Sequence, residues 1–69
     1  MRLTRVQSQA IEAVGYEPSR RVLVVRFLSG ETYEYFDVDR ALFEGLLAAQ
    51  HPWTQHGDEV KQHRFRHLS

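Results

Sequence analysis

The stretch that decides the fold is Val22-Leu23-Val24-Val25-Arg26-Phe27-Leu28-Ser29-Gly30-Glu31-Thr32-Tyr33-Glu34-Tyr35-Phe36. Two runs rich in β-branched and aromatic residues flank a short turn segment, which predicts a β-hairpin. A two-residue turn would set apolar residues opposite charged ones. A three-residue loop that ends in a left-handed Gly30 moves the pairing by one residue and separates the two kinds, so the apolar pattern favours a type I turn with a glycine bulge. One face then carries Leu23, Val25, Phe27, Tyr33 and Tyr35.

Outward from the hairpin, the sequence predicts one strand before it and two helices after it. Glu17-Pro18-Ser19-Arg20 is typical of a type I turn. The expected fold class is α+β: a three-stranded antiparallel β-meander followed by two helices (β-β-β-α-α), the first helix packed on the sheet. Residues 1–9 and 64–69 show no clear pattern and are expected to be loose. The expected elements are strands at Ile11–Tyr16, Arg21–Leu28 and Thr32–Val38 and helices at Asp39–Gln50 and Pro52–His63.

Composition narrows the class of protein. The chain has 69 residues, no cysteine and a formal net charge of zero. Its length allows a single domain over residues 1–69, and the lack of cysteine excludes disulfides and thiolate zinc sites. Met1–Ala10 is too polar for a signal peptide, and no stretch approaches the ~20 apolar residues that a membrane span needs. We therefore expect a soluble, cytoplasmic domain without a membrane partner.

Several groups of residues together form a recognisable pattern. They are Ile11, Val14-Gly15-Tyr16, residues 25–35 around the central Tyr33-Glu34-Tyr35, and Val38 with residues 43–49. In order and spacing the chain resembles the KTSC domain family, which is named for a C-terminal domain of some lysyl-tRNA synthetases and also occurs as stand-alone bacterial proteins. Tyr-x-Tyr is the hallmark of that family. The resemblance implies the fold, and the association with synthetases implies RNA as a partner. The second helix, with His51-Pro52-Trp53 and Gly57, departs from the family's commoner aromatic-Asn pattern.

Basic residues near the turns and the C-terminal end are candidates for contacts with RNA phosphates. With Trp53 or Phe65 stacking on bases, these would form a nucleic-acid-binding surface. The alternative is an ordinary solvated surface, because the chain has 9 basic and 9 acidic residues. Tyr33 and Tyr35 are interpreted as core residues, so recognition is expected elsewhere. The candidate phosphate contacts are Arg20, Arg21, Arg26, Lys61, Arg64 and Arg66.

A second hypothesis is a protein-interaction or homo-oligomerising module. The outer face of the sheet is more apolar than a fully solvated face. Another chain, or another part of this one, is expected to cover it. The residues concerned are Val22, Val24, Leu28 and Phe36.

The sequence carries no pattern that indicates catalysis or a cofactor. His63 and His67 have the i, i+4 spacing of helical metal ligands but lack a third ligand, so no metal is expected. His56 beside Asp58 and Glu59 is more typical of a solvated helix surface than of acid–base catalysis. No phosphate-loop, dinucleotide or nucleophile motif is present, and no small-molecule substrate is evident. We therefore predict a non-enzymatic binding module.

Overall fold

The computed structural model describes residues 3–69, in which five strands and two helices make up the fold. The strands lie in one antiparallel sheet, in the spatial order β1-β2-β3-β4-β5. The chain builds four strands in sequence, crosses one face of the sheet with both helices, and returns to add the fifth. The elements are β1 (Thr4–Arg5), β2 (Ile11–Glu17), β3 (Val22–Phe27), β4 (Thr32–Tyr35), α1 (Arg40–Ala48), α2 (Pro52–Lys61) and β5 (Phe65–His67).

The α+β class, the central meander and the two helices agree with the sequence prediction, but the strand count of three is wrong. The two further strands are short, and they lie in the terminal segments for which no regular structure was expected. β1 pairs with β2, placing Thr4 opposite Val14, and β5 pairs with β4, placing Phe65 opposite Tyr35. Such short edge strands take their hydrogen bonds from a longer neighbour, so they need little apolar pattern of their own.

The register of the central hairpin is the one that the apolar pattern predicts. Leu23 lies opposite Tyr35, and Val25 lies opposite Tyr33. The loop closes when the Phe27 amide donates to the Glu31 carbonyl at 2.8 Å and the Gly30 amide donates to the Phe27 carbonyl at 2.9 Å. Gly30 has a φ of 97°, a left-handed conformation that a side chain would strain. The predicted inner face is therefore confirmed.

The core lies between this inner face and the two helices. Its buried cluster joins the three central strands to Val38, to Leu42 and Leu46 of α1 and to Val60 of α2. Tyr16 packs against this cluster, and its hydroxyl donates a hydrogen bond to the Val38 carbonyl at 2.5 Å. These contacts fix both helices on one side of the sheet. The cluster members on the strands are Ile11, Val14, Leu23, Val25 and Tyr35.

The helices meet at a glycine, and their ends match the sequence signals in part. A Cβ on Gly45 would lie 3.3 Å from ring atoms of His56, so the imidazole of α2 packs where α1 has no side chain. Pro52 occupies the first turn of α2, as predicted. Asp39 holds the N-cap position of α1 but makes no side-chain capping bond, because its carboxylate accepts from the Arg21 guanidinium instead.

The outer face of the sheet differs from the apolar docking face that the second hypothesis requires. Val22 and Val24 lie on it but are only 1% and 7% exposed. Leu28, another member of the proposed patch, lies in the hairpin loop and lines a groove on the inner side. Phe36 is half-buried, with the Arg64 guanidinium carbon 5.7 Å from its ring centroid. The four residues therefore do not form one exposed apolar patch, and that prediction is wrong.

Within residues 3–69, neither helix is long and apolar enough to cross a membrane.

Candidate binding groove

An open, largely apolar groove of about 650 Å³ lies on the inner side of the sheet, next to α2. The two helices cover one part of the inner face, where the buried core lies. The part near the β3–β4 loop and strand β5 stays open, and five of the eleven residues that line it are aromatic. The residues lining the groove are Gln9, Ala10, Phe27, Leu28, Ser29, Glu31, Tyr33, Tyr35, Trp53, Lys61 and Phe65.

The aromatic rings of the groove hold one another in place through edge-to-face contacts. Phe27 meets Tyr33 at a centroid distance of 5.6 Å and an interplanar angle of 88°. It meets Trp53 at 5.1 Å and 89°. Edge-to-face packing is a favourable geometry for aromatic pairs, because the positive edge of one ring faces the negative face of the other. Phe27 therefore couples the sheet to α2 across the floor of the groove.

Strand β5 adds a second group of rings beside Tyr33. His67 stacks on Tyr33 with centroids 4.6 Å apart, and Phe65 lies 5.7 Å from the same ring. Phe65 is 60% exposed, although it belongs to a strand. Phe65 extends the apolar lining of the groove, and a contiguous exposed apolar surface, unlike a single exposed ring, is typical of a binding site.

The two tyrosines of the central motif have different environments. Tyr35 is 5% exposed and belongs to the core, whereas Tyr33 is half-buried and packed against it. Burial raises the pKa of the Tyr35 phenol, and the neighbouring Tyr33 adds a smaller effect in the same direction. Both side chains lie on the inner face, as predicted, but only Tyr35 belongs to the buried core. Both also line the groove, a surface that the sequence did not predict next to the tyrosines.

Trp53 is seated on a glycine of its own helix. A Cβ on Gly57 would come within 3.0 to 3.2 Å of three carbons of the indole ring, closer than packed carbon atoms normally approach. Gly57 is therefore the residue that allows the indole to lie against α2. Lys61 has its ammonium 5.7 Å from the Trp53 ring centroid, a cation–π distance that places a positive charge at the groove.

Most of the candidate phosphate contacts lie elsewhere. Arg66 pairs with Glu34 at 3.5 Å, Arg64 with Asp37 at 3.8 Å, and Arg26 with Glu12 at 3.9 Å. Arg26 lies opposite Thr32 and Arg66 opposite Glu34. Their side chains therefore point to the outer face, away from the groove, because strand residues alternate between faces.

The remaining basic candidates are at the β2–β3 turn and in α2. Arg21 pairs with Asp39, and Arg20 is exposed in the turn. The structure thus brings together Lys61, Trp53 and Phe65 in the groove and separates them from the arginines. The candidates are therefore divided between the groove, the outer face and the β2–β3 turn, and four of the arginines have acidic partners. A basic surface on the outer face stays a prediction.

His63 and His67, the two histidines with the spacing of helical metal ligands, each lie against a backbone carbonyl. A ring nitrogen of His63 lies 2.9 Å from the Phe36 carbonyl, and one of His67 lies 2.9 Å from the Ser69 carbonyl. In residues 3–69 no group of three potential ligands from His, Cys, Asp and Glu is close enough to hold a metal ion.

The family relationship is clear from comparisons with known proteins. The chain belongs to the KTSC domain family, whose model matches residues 7–65. A crystal structure of a KTSC domain protein from Yersinia pestis superposes with a TM-score of 0.90, covering 99% of this chain and 97% of that one at 23% sequence identity. This likeness shows the fold.

Two bacterial relatives were also found. A protein from Tsukamurella paurometabola is 49% identical over 45 residues, which is 65% of this chain and 67% of that protein. An uncharacterized protein from Stutzerimonas stutzeri is 28% identical over 67 residues, which is 97% of this chain and 94% of that protein. The names of these relatives and of the family indicate no catalytic activity.

Proposed function

We propose that this KTSC domain is a non-catalytic module that binds single-stranded RNA, with bases stacking on the rings of the aromatic groove. One observation supports this most directly: Tyr33, Trp53 and Phe65 converge on one open groove that also holds a lysine. Single-stranded RNA is commonly bound by stacking its bases on aromatic side chains, each worth ~1–3 kcal/mol. A cytoplasmic location, where RNA is abundant, is part of the same proposal.

The groove is a better candidate than the arginine-bearing outer face. An arginine beside a carboxylate attracts a phosphate less, because the neighbouring negative charge repels the phosphate. Arg26, Arg64 and Arg66 are all paired in this way. Lys61 has no carboxylate within ion-pair distance among residues 3–69 and lies instead beside the Trp53 ring. The groove therefore offers both stacking surfaces and an available cation.

Fluorescence anisotropy of a labelled single-stranded RNA tests the proposal with two matched variants. Trp53→Ala removes a wall of the groove and is expected to weaken binding about 5- to 150-fold, as loss of one stacked base would. Arg64→Ala, on the outer face, is expected to change binding less than about twofold. Circular dichroism checks that both variants stay folded. Absence of binding by the wild type at low salt, or unchanged binding by folded Trp53→Ala, would refute the proposal.

The salt dependence of binding separates the groove from a basic surface. A single lysine–phosphate contact gives a slope of about −0.7 in log K against log salt for a single strand. Engagement of three to five arginines would make that slope about −2 to −3.5. A shallow slope therefore supports the groove, and a steep one supports the basic surface that was inferred from the sequence.

A further inference from the structure

We propose that the aromatic groove selects guanine, and that Glu31 makes this selection by accepting two hydrogen bonds from the base. The inference rests on the proposed function and adds the identity of the base. The polar groups of the groove must distinguish the bases, because stacking on aromatic rings holds every base about equally well.

The hairpin register places the Glu31 side chain in the groove. Glu31 is paired with Phe27, whose amide donates to the Glu31 carbonyl at 2.8 Å. Residues opposite each other in an antiparallel pair point to the same face, so Glu31 shares the inner face with Phe27. Tyr33, two residues further along the same strand direction, also lies on that face. The carboxylate is therefore beside the rings that would stack a base.

Glu31 is also an available acceptor. The carboxylates of Glu12, Glu34 and Asp37 each lie within ion-pair distance of an arginine. Glu31 is exposed, and within residues 3–69 it has no ion pair. Within the same residues, the one side-chain hydrogen bond to the Glu31 carboxylate comes from the Ser29 hydroxyl, at a long 3.5 Å. A ligand that reaches Glu31 does not have to displace a charged partner.

The chemistry of the bases then favours guanine. An ionised carboxylate accepts hydrogen bonds but cannot donate them. Guanine presents two adjacent donors on its Watson–Crick edge, N1–H and the N2 amino group, which match the two carboxylate oxygens. Adenine and cytosine present one amino group beside a ring-nitrogen acceptor, and uracil presents one N–H between two carbonyls. Each of those three can give the carboxylate one hydrogen bond, but a two-point contact would place a lone pair against the second carboxylate oxygen, an unfavourable contact.

Lys61 supplies the complementary charge. It lines the same groove from α2, whereas Glu31 lines it from the β3–β4 hairpin. A guanosine nucleotide has donors at one end of the base and an anionic phosphate on the ribose. Its two ends therefore match the two charges, with the base on the rings between them. A free guanine nucleotide has the same chemistry as a guanosine within RNA, so the experiment must compare the two.

The test measures binding of oligouridines that contain a single central guanine, adenine, cytosine or uridine, and of guanosine monophosphate alone. The guanine oligonucleotide is expected to bind about tenfold tighter than the other three, the discrimination typical of a good bidentate contact. Glu31→Gln replaces one acceptor oxygen with a donor and should abolish most of that preference. Glu44→Gln, an exposed carboxylate on α1, is the matched control and should keep it.

The outcomes are distinguishable. Equal binding of all four oligonucleotides, or a guanine preference that survives Glu31→Gln, overturns the guanine assignment and leaves the proposed RNA binding intact. No binding of any oligonucleotide overturns the proposed function itself. Guanosine monophosphate binding as tightly as the oligonucleotide supports the guanine site and identifies the free nucleotide as its ligand.

Discussion

The two faces of the sheet differ in which side chains they carry and in how well those side chains are covered. On the outer face, charged side chains come in pairs, and the valines between them are buried. On the inner face, aromatic residues are only partly covered by the helices, and the uncovered part forms the groove. An exposed basic residue is therefore a poor indicator of a binding site in this chain, because charge neutralised by a neighbour is common on protein surfaces. A contiguous apolar groove is the more informative feature, because such surfaces are typical of binding sites.

The largest expected effect is a difference in the free energy of unfolding between a valine substitution on the inner face and one on the outer face. Val25 is fully buried in the core cluster, whereas its neighbour Val24 points to the outer face and lies outside that cluster. Val25→Ala should lower the free energy of unfolding by about 2–3 kcal/mol, because it removes buried methyl groups and leaves a cavity. Val24→Ala should cost less than half of that, because a gap near the surface can be filled. Urea denaturation measures both, and equal losses would mean that the outer face is a second core.

A glycine comparison tests the wall of the groove. Gly57→Ala puts a Cβ within 3.0 to 3.2 Å of three indole carbons, so the indole must move by a few tenths of an ångström or more, and RNA binding should weaken by up to about tenfold. Gly45→Ala is the control, because its Cβ would meet the His56 ring, which is not among the groove-lining residues. Anisotropy titration compares the two variants. If Gly57→Ala binds as well as the wild type, the position of the indole does not matter for binding.

The hairpin loop, which determines which residues face the groove, is expected to show a smaller effect. Gly30 has its φ at 97° with open space around it, so alanine there is strained but does not clash. Gly30→Ala should therefore lower the free energy of unfolding by about 1 kcal/mol. Thermal unfolding measures this loss. An unchanged midpoint would show that the loop can adopt another conformation without changing the register.

The smallest effect is expected on the outer face. Arg64 and Asp37 are 82% and 76% exposed, and their ion pair is 3.8 Å long. Arg64→Ala should change the free energy of unfolding by no more than about 0.5 kcal/mol, since water screens an exposed pair. Chemical denaturation of the variant beside the wild type checks this value. A loss above 1 kcal/mol would mean that the paired charges of the outer face stabilise the fold substantially.

Much of the fold follows from local sequence patterns. A one-residue change of register would reverse every side chain of one strand relative to the other, so the need to place Leu23, Val25 and Phe27 on one face with Tyr33 and Tyr35 selects the pairing. The short strands β1 and β5 did not follow from the sequence, because two or three residues carry little period. Phe65-Arg66-His67 does alternate, with two rings on one side and a charge on the other. That alternation was the available signal for β5.

The candidate site was less predictable than the fold. Phe65, Trp53 and Tyr33 come from the last strand, the second helix and the fourth strand, and only the tertiary fold brings them together. The arginines were assigned from their charge alone, and their acidic partners come from distant positions, as Arg26 and Glu12 show. Gly57 stands out in the sequence only as part of the departure from the family pattern, but in the fold it is the contact surface of the indole.

The most direct test of the central claim is a nuclear magnetic resonance titration of the labelled protein with a single-stranded oligouridine that contains one guanine. The side-chain signals of Tyr33, Trp53 and Phe65 should shift together, with saturation at one concentration, while the guanidinium signals of Arg26 and Arg64 stay in place. Shifts confined to those guanidinium groups, with the aromatic signals unmoved, would contradict the account and place binding on the outer face.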